Sequence, residues 1–215
     1  MKTINLQTVL LVGGLGLVCG ETNAAITISI DMDTSTAGIQ STRTASVGDT
    51  FSANLVFDLS ASFPTGLSAY GVTVRFDTVE LSLNGASTES GPTGWLNLTV
   101  GVDHETETLA PPNSSLGELN NFEAYTLGAA LTSGSFIAGT INFTVASVLS
   151  DGLADVIPGN YGGADGLGDK DYATIDFSTV TINPGYVVPE PQAYALCAGL
   201  GLLGWAGYRR WRRVV

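Results

Sequence analysis

An all-β sandwich is the fold class this sequence predicts, and three observations predict it. Apolar and polar residues alternate over several short runs, clusters of Gly, Pro, Asn, Asp and Ser separate those runs, and no period of 3.6 residues spans the body. Strict alternation packs one face of a strand on a core and leaves the other to water, which suits two facing sheets in a β-sandwich or jelly roll. A chain of 215 residues holds one such domain and little else.

Residues 1–25 read as a signal peptide that forms a signal helix. Lys2 gives a minimal charged start, Val9 to Val18 is an apolar run too short to span a bilayer, and Thr22-Asn23-Ala24 offers small residues for cleavage after Ala24. A lipoprotein reading at Leu17-Val18-Cys19 is weaker, because Val18 is larger than the residue that normally precedes a lipidated Cys.

The body, residues 26–183, has the period of strands. Phe51, Ala53, Leu55, Phe57 and Leu59 share one parity, as do Tyr70, Val72, Val74 and Phe76. Leu96, Leu98, Val100 and Val102 make a third face, with Trp95 on the opposite parity; Ile137, Ile141, Phe143 and Val145 make a fourth. Phe63-Pro64-Thr65-Gly66 and Asn84-Gly85 supply turns. Between Leu116 and Leu131 the alternation fades, leaving room for a helical turn. In the last strand the phase shifts between Ala173, Ile175, Phe177 and Val180, Ile182, as a β-bulge near Ser178-Thr179 would produce. Residues 184–192 then read as a Pro-rich linker containing Pro189-Glu190-Pro191, kept extended by its prolines.

After the linker comes Ala193 to Tyr208, an uncharged apolar stretch, and then Arg209-Arg210-Trp211-Arg212-Arg213. Sixteen helical residues span about 24 Å, slightly short of a bilayer, and the arginines and Trp211 lengthen the effective span by snorkelling. Residues 193–208 are therefore expected as a single transmembrane helix, with 209–215 as a cytoplasmic Arg-rich tail under the positive-inside rule. Gly199, Gly201, Gly204 and Gly207 permit close helix approach.

This order of parts resembles the PEP-CTERM sorting signal of exported proteins in Gram-negative bacteria that make extracellular polysaccharide. The resemblance covers about the last 28 residues. It implies recognition near Pro189, Glu190 and Pro191 by exosortase, a membrane protease-transpeptidase, with Arg209, Arg210, Arg212 and Arg213 fixing the orientation. Release or transfer of the body to the cell surface or extracellular matrix would follow. A second, looser resemblance covers the body. Val47 to Phe51 (VGDTF), Tyr70 to Asp77 (YGVTVRFD) and Gly139 to Val145 (GTINFTV) are similar to spaced strands of cohesin domains. That likeness implies a nine-stranded jelly-roll sandwich; the partner does not transfer with the fold.

Charge narrows the partners. The whole chain carries −12, but four of its eight basic residues lie in the last seven positions. Residues 26–188 hold three basic side chains against eighteen acidic ones, a net of −15, which repels phosphate backbones and excludes nucleic acid. Cys19 and Cys197 both lie outside the body, so no disulfide framework is expected.

Catalytic signatures are missing. His104 is the only histidine and lies in the polar stretch Asp103 to Glu107; no nucleophile elbow or phosphate-cradling loop occurs. Carboxylate pairs such as Glu105/Glu107 are what any acidic chain offers by chance, so the chain reads as a non-enzyme without cofactors. Asp165, Asp169 and Asp171 in a Gly-rich loop are the best calcium candidates, but their spacing departs from the EF-hand and suits ordinary turns. Trp95 is either an exposed sugar-stacking ring or edge packing on a nearby loop, the second being favoured. The rival functions are a surface carbohydrate-binding module for extracellular polysaccharide and a cohesin docking a dockerin-bearing protein partner; a hydrolase ranks last.

Overall fold

The computed structural model describes residues 26–60, 63, 65–97, 106–108, 116–148, 151–162, 165–190, 199–205 and 208–209. Among these the strands are β1 (Ile26–Asp31), β2 (Thr42–Ala45), β3 (Thr50–Leu59), β4 (Leu67–Asp77), β5 (Leu81–Leu83), β6 (Thr88–Glu89), β7 (Leu96–Asn97), β8 (Thr106–Thr108), β9 (Leu116–Tyr125) and β10 (Gly134–Val145). They continue with β11 (Val156–Gly159), β12 (Gly166–Asp169), β13 (Thr174–Ile175), β14 (Thr181–Asn183) and β15 (Tyr186–Pro189). One sheet runs β14-β1-β3-β10-β5, with β6 also on β10. The other runs β13-β12-β4-β9-β7, with β11 also on β4 and β8 also on β9. A separate parallel pair joins β15 to β2. The body is a two-layer β-sandwich, as its alternation predicts.

The two long alternating runs are the inner faces of the two sheets. Phe51, Ala53, Leu55, Phe57 and Leu59 of β3 are all buried, as are Tyr70, Val72, Val74 and Phe76 of β4. Aromatic rings pack within and between the layers. Phe57 stacks on Phe136 of the same sheet at 5.0 Å and lies 4.9 Å from Tyr70 of the other. Phe143 lies 5.6 Å from Phe51 in its own sheet and 5.6 Å from Phe76 across the core. Burying one such ring stabilises the fold by about 1.5–3 kcal/mol, with roughly 0.5–1.5 more from each well-oriented pair.

Four expectations change, each for a local reason. β10 shifts register between Ile137 and Gly139, so Ile137 is turned out while Phe136 and Ala138 face the core. Leu116 to Tyr125 is strand rather than helical turn. A register shift between Val72 and Val74 on its partner leaves Leu119 and Phe122 both inward, a spacing of three that imitates a helix. Near Ser178-Thr179 no bulge sits within one strand: a 3₁₀ turn at Phe177–Thr179, capped by Asp176, carries the chain from β13 in one sheet to β14 in the other. Finally, Leu96 is exposed and Trp95 packs on the core, 5.9 Å from Tyr70 and 6.1 Å from Phe136, the reverse of the expected parity.

Candidate functional site

The expected linker begins as part of the body. Tyr186, Val187, Val188 and Pro189 pair in register with Thr42, Arg43, Thr44 and Ala45, and Val187 is 2% exposed. Gly185 leads into this strand through a gap where a Cβ would meet the side chains of Met32 and Ile30 closer than 3.0 Å, so that these must shift to admit one. Its N–H and C=O both pair with Val156. The Asp155 carboxylate accepts the Val187 amide proton. Pro189 and Glu190 are half-buried where the strand ends.

Asp155 is 3% exposed and hydrogen-bonds the side chain of Glu80, itself 1% exposed. Burial first, then the hydrogen bond to Glu80, pushes the Asp155 carboxyl up to about 8, with the charges of Glu80 and Asp151 adding to the rise and the Val187 amide opposing it. Sequence reasoning passed over both residues. Acidic side chains next to short apolar runs carry no mark of burial, and their contact is made between turns far apart in the chain.

The remaining sequence-predicted sites separate. Asp165 accepts the backbone amides of Tyr161 at 2.7 Å and Gly162 at 2.6 Å and lies 3.1 Å from the Thr73 hydroxyl. Asp169 instead accepts from the amides of Asp171 at 2.8 Å and Ala173 at 3.0 Å, while Asp171 pairs with Lys170. The Asp165 and Asp169 carboxylates each shape a turn, while Asp171 lies within the Asp169 turn and directs its carboxylate to Lys170. Ala24, Pro191, Arg210, Arg212, Arg213 and His104 lie outside the described residues. Residues 199–205 are helical, and the Arg209 guanidinium lies 5.2 Å from the Trp205 ring centre. Among the described residues no helix is long and apolar enough to cross a membrane.

A groove of about 430 Å³ opens where β1, β3, β14 and the start of β15 meet. Its walls carry the hydroxyls of Thr27, Ser29 and Ser41, the Asn183 amide, the Asp58 carboxylate and the Tyr186 ring. Asn183 Nδ2 donates to Ser29 Oγ at 3.1 Å. The same outer face continues as a ladder of neutral polar groups, with Thr140 donating to Asn54 and Ser52 to Asn142, each at 2.7 Å.

These features define a two-layer β-sandwich module with a docked C-terminal strand and a polar groove beside it. No protein-family model matches the sequence, and no curated protein does either. The solved structures it is similar to include the sixth cohesin of scaffoldin B from Acetivibrio cellulolyticus, determined in complex with a dockerin. That match has 15% identity and a TM-score of 0.46, over 77% of this chain and 99% of that one. A type II cohesin from Bacteroides cellulosolvens gives 13% identity and a TM-score of 0.48, over 76% and 99%. The major pilin subunit of Bacillus cereus gives 12% identity and a TM-score of 0.34, over 76% of this chain and 39% of that one. At such identities and TM-scores, no partner and no residue role transfers.

Proposed function

We propose that this chain is an exported cell-surface or extracellular-matrix protein of a Gram-negative bacterium, sorted through a C-terminal PEP-CTERM signal that exosortase processes, with the β-sandwich as a non-catalytic binding or structural module. The observation that carries the reading is the order of Pro189-Glu190-Pro191, the apolar stretch 193–208 and the terminal arginines. The apolar stretch holds the chain in the inner membrane, and the arginines keep its end cytoplasmic. Extended, proline-bounded backbone just outside the bilayer suits a membrane-embedded protease. The end of β15 at Pro189 supports the reading, because the strand's last residue is the first of the motif.

Fractionation with a mass measurement of the C-terminus tests it. In a cell that has exosortase the mature protein is expected to lack Arg213, and replacing Pro189, Glu190 and Pro191 by alanine is expected to trap the full-length chain in the membrane. A wild-type protein that keeps Arg213 there would sink the proposal.

The groove favours a second reading for the body, binding of a neutral sugar. Hydroxyl, amide and carboxylate groups beside the half-buried Tyr186 match the polar rim and apolar face of a hexose. The −15 charge of residues 26–188 disfavours an anionic glycan. Titration with the producing organism's polysaccharide tests this: loss of binding in Tyr186→Ala and Asp58→Asn supports the groove, and unchanged binding rejects it.

A further inference from the structure

Glu80 and Asp155 meet at the junction between the sandwich and its last strand. Glu80 lies in the turn between β4 and β5, and its backbone carbonyl accepts the amides of Ala146 at 2.7 Å and Ser147 at 3.2 Å just beyond β10. Asp155 immediately precedes β11; its carbonyl accepts the Asp77 amide at 2.9 Å, and its own amide donates to Gly185 at 3.0 Å. Four segments of the chain are thus tied at one point, and the Asp155 side chain adds the fifth tie, to Val187 of β15.

Two buried carboxyl groups that hydrogen-bond each other need a proton between them, since carboxylates only accept. The acidic groups acting on Asp155 are Glu80 and Asp151. On the neighbouring elements, Arg43 of β2 is turned to Asp33 at 3.7 Å, and the Asp77 carboxylate accepts the Val79 amide at 2.7 Å. β15 itself, Tyr186 to Pro189, has no charged side chain. Removing the proton places two negative charges in a buried contact. The Val187 amide steadies the charged Asp155 in part, but burial and the charges of Glu80 and Asp151 outweigh it. Both are relieved when β15 lifts away and water reaches the carboxylates. β15 is four residues long and, among the described residues, is paired as a strand with β2 alone, so it has few backbone bonds to hold it.

We propose that the proton shared by Asp155 and Glu80 is a latch that holds β15 on the body and so governs how far the Pro189-Glu190-Pro191 segment stands out for a protease. The latch rests on the geometry of the junction; its effect on processing rests on the sorting reading above. With the proton present, β15 is docked and Pro189 and Glu190 stay half-buried against the sandwich. Without it, the strand comes away and the chain near the motif lengthens by up to the four residues of β15.

Amide hydrogen exchange of the full chain in detergent micelles, from pH 5.5 to 9 and corrected for intrinsic rates, tests the latch. Protection at Val187 is expected to fall about tenfold or more relative to Phe57 across that range. In Asp155→Asn, where the amide keeps an acceptor for Val187 and a permanent donor for Glu80, protection is expected to stay level; Glu80→Gln repeats the test from the other side should the first variant fail to fold. Val187 tracking Phe57 at every pH, or protection that follows added calcium and is lost to EDTA, would overturn the latch. No exosortase enters this measurement, so its outcome is independent of the sorting reading. In processing cells held at alkaline pH, wild type is expected to lose its tail faster than Asp155→Asn, and equal rates would overturn the coupling. A tail that no cell removes sinks the sorting reading alone.

Discussion

The ring of Phe122 fills the space that a Cβ on Gly139 would need; such a Cβ would overlap two carbons of that ring and stand 3.1 Å from the Thr88 carbonyl oxygen. Gly139 sits where β10 shifts register, so the bulge and the inward ring of β9 are built around each other. Gly139→Ala is expected to destabilise the body by about 1–3 kcal/mol, the usual range for overpacking. Phe122→Leu in the same chain is expected to recover part of the loss. Urea unfolding of the single and double variants checks this; additive losses would show that the two residues do not share the space.

Phe57 is fully buried between two aromatic neighbours. Phe57→Ala is expected to cost about 3–5 kcal/mol, while Phe63→Ala, at 7% exposure on the margin of the same core, is expected to cost less. Denaturant midpoints order the two; the reverse order would place the centre of the core elsewhere.

Arg75 joins two contacts on the outer face of the second sheet. Its Nε lies 2.5 Å from Glu118, and its guanidinium lies 3.8 Å from the Tyr161 ring centre. Arg75→Ala leaves a carboxylate at 7% exposure without this partner. Because the arginine side chain is itself 24% exposed, the loss is expected at about 1–3 kcal/mol, below the range for fully buried pairs. Lysine is expected to restore little, since it offers no planar group to stack on Tyr161.

Truncation separates the two possible ends of the body. A chain ending at Asn183 loses Gly185, Tyr186 and Val187, and with them the pairing to β2 and the contact with Asp155. It is expected to melt below a chain ending at Glu190, and equal melting temperatures would return residues 184–189 to the role of a linker. EDTA is expected to shift neither, because Asp165 and Asp169 bond the amides of separate turns and Asp171 pairs with Lys170; a shift of many degrees would restore the calcium reading.

Stability should also depend on pH in a direction the buried pair fixes. The Asp155 carboxyl is raised in the folded state, so its contribution is fully present below about pH 4 and is lost as pH rises through about 8. Asp33, lowered by the Ser35 and Thr36 hydroxyls, and Asp176, lowered by the Ser178 amide, act oppositely and lose their contributions as pH falls below the ordinary carboxylate range. Urea midpoints are expected to be highest in mildly acidic solution, with the alkaline decline reduced by Asp155→Asn; Glu123, raised by burial, contributes the remainder. A midpoint that rises steadily from pH 5 to 9 would contradict this.

The sequence by itself determined the all-β class and the inner faces of β3 and β4, because alternation along one strand is a local property and burial follows it directly. The turn role of Asp165 and Asp169 was legible for the same reason: each carboxylate bonds amides within four residues of itself. Only the tertiary structure decided the bulges that turn Phe136 and Phe122 inward, the crossing between sheets at Phe177–Thr179, and the docking of β15 on β2. Each depends on which strand lies alongside, and the partners are far apart in the chain: Ala45 and Pro189 are paired neighbours only after folding. The Asp155–Glu80 contact belongs to this second kind, since an acidic residue in a turn is ordinary until folding removes water from it and sets another carboxyl against it.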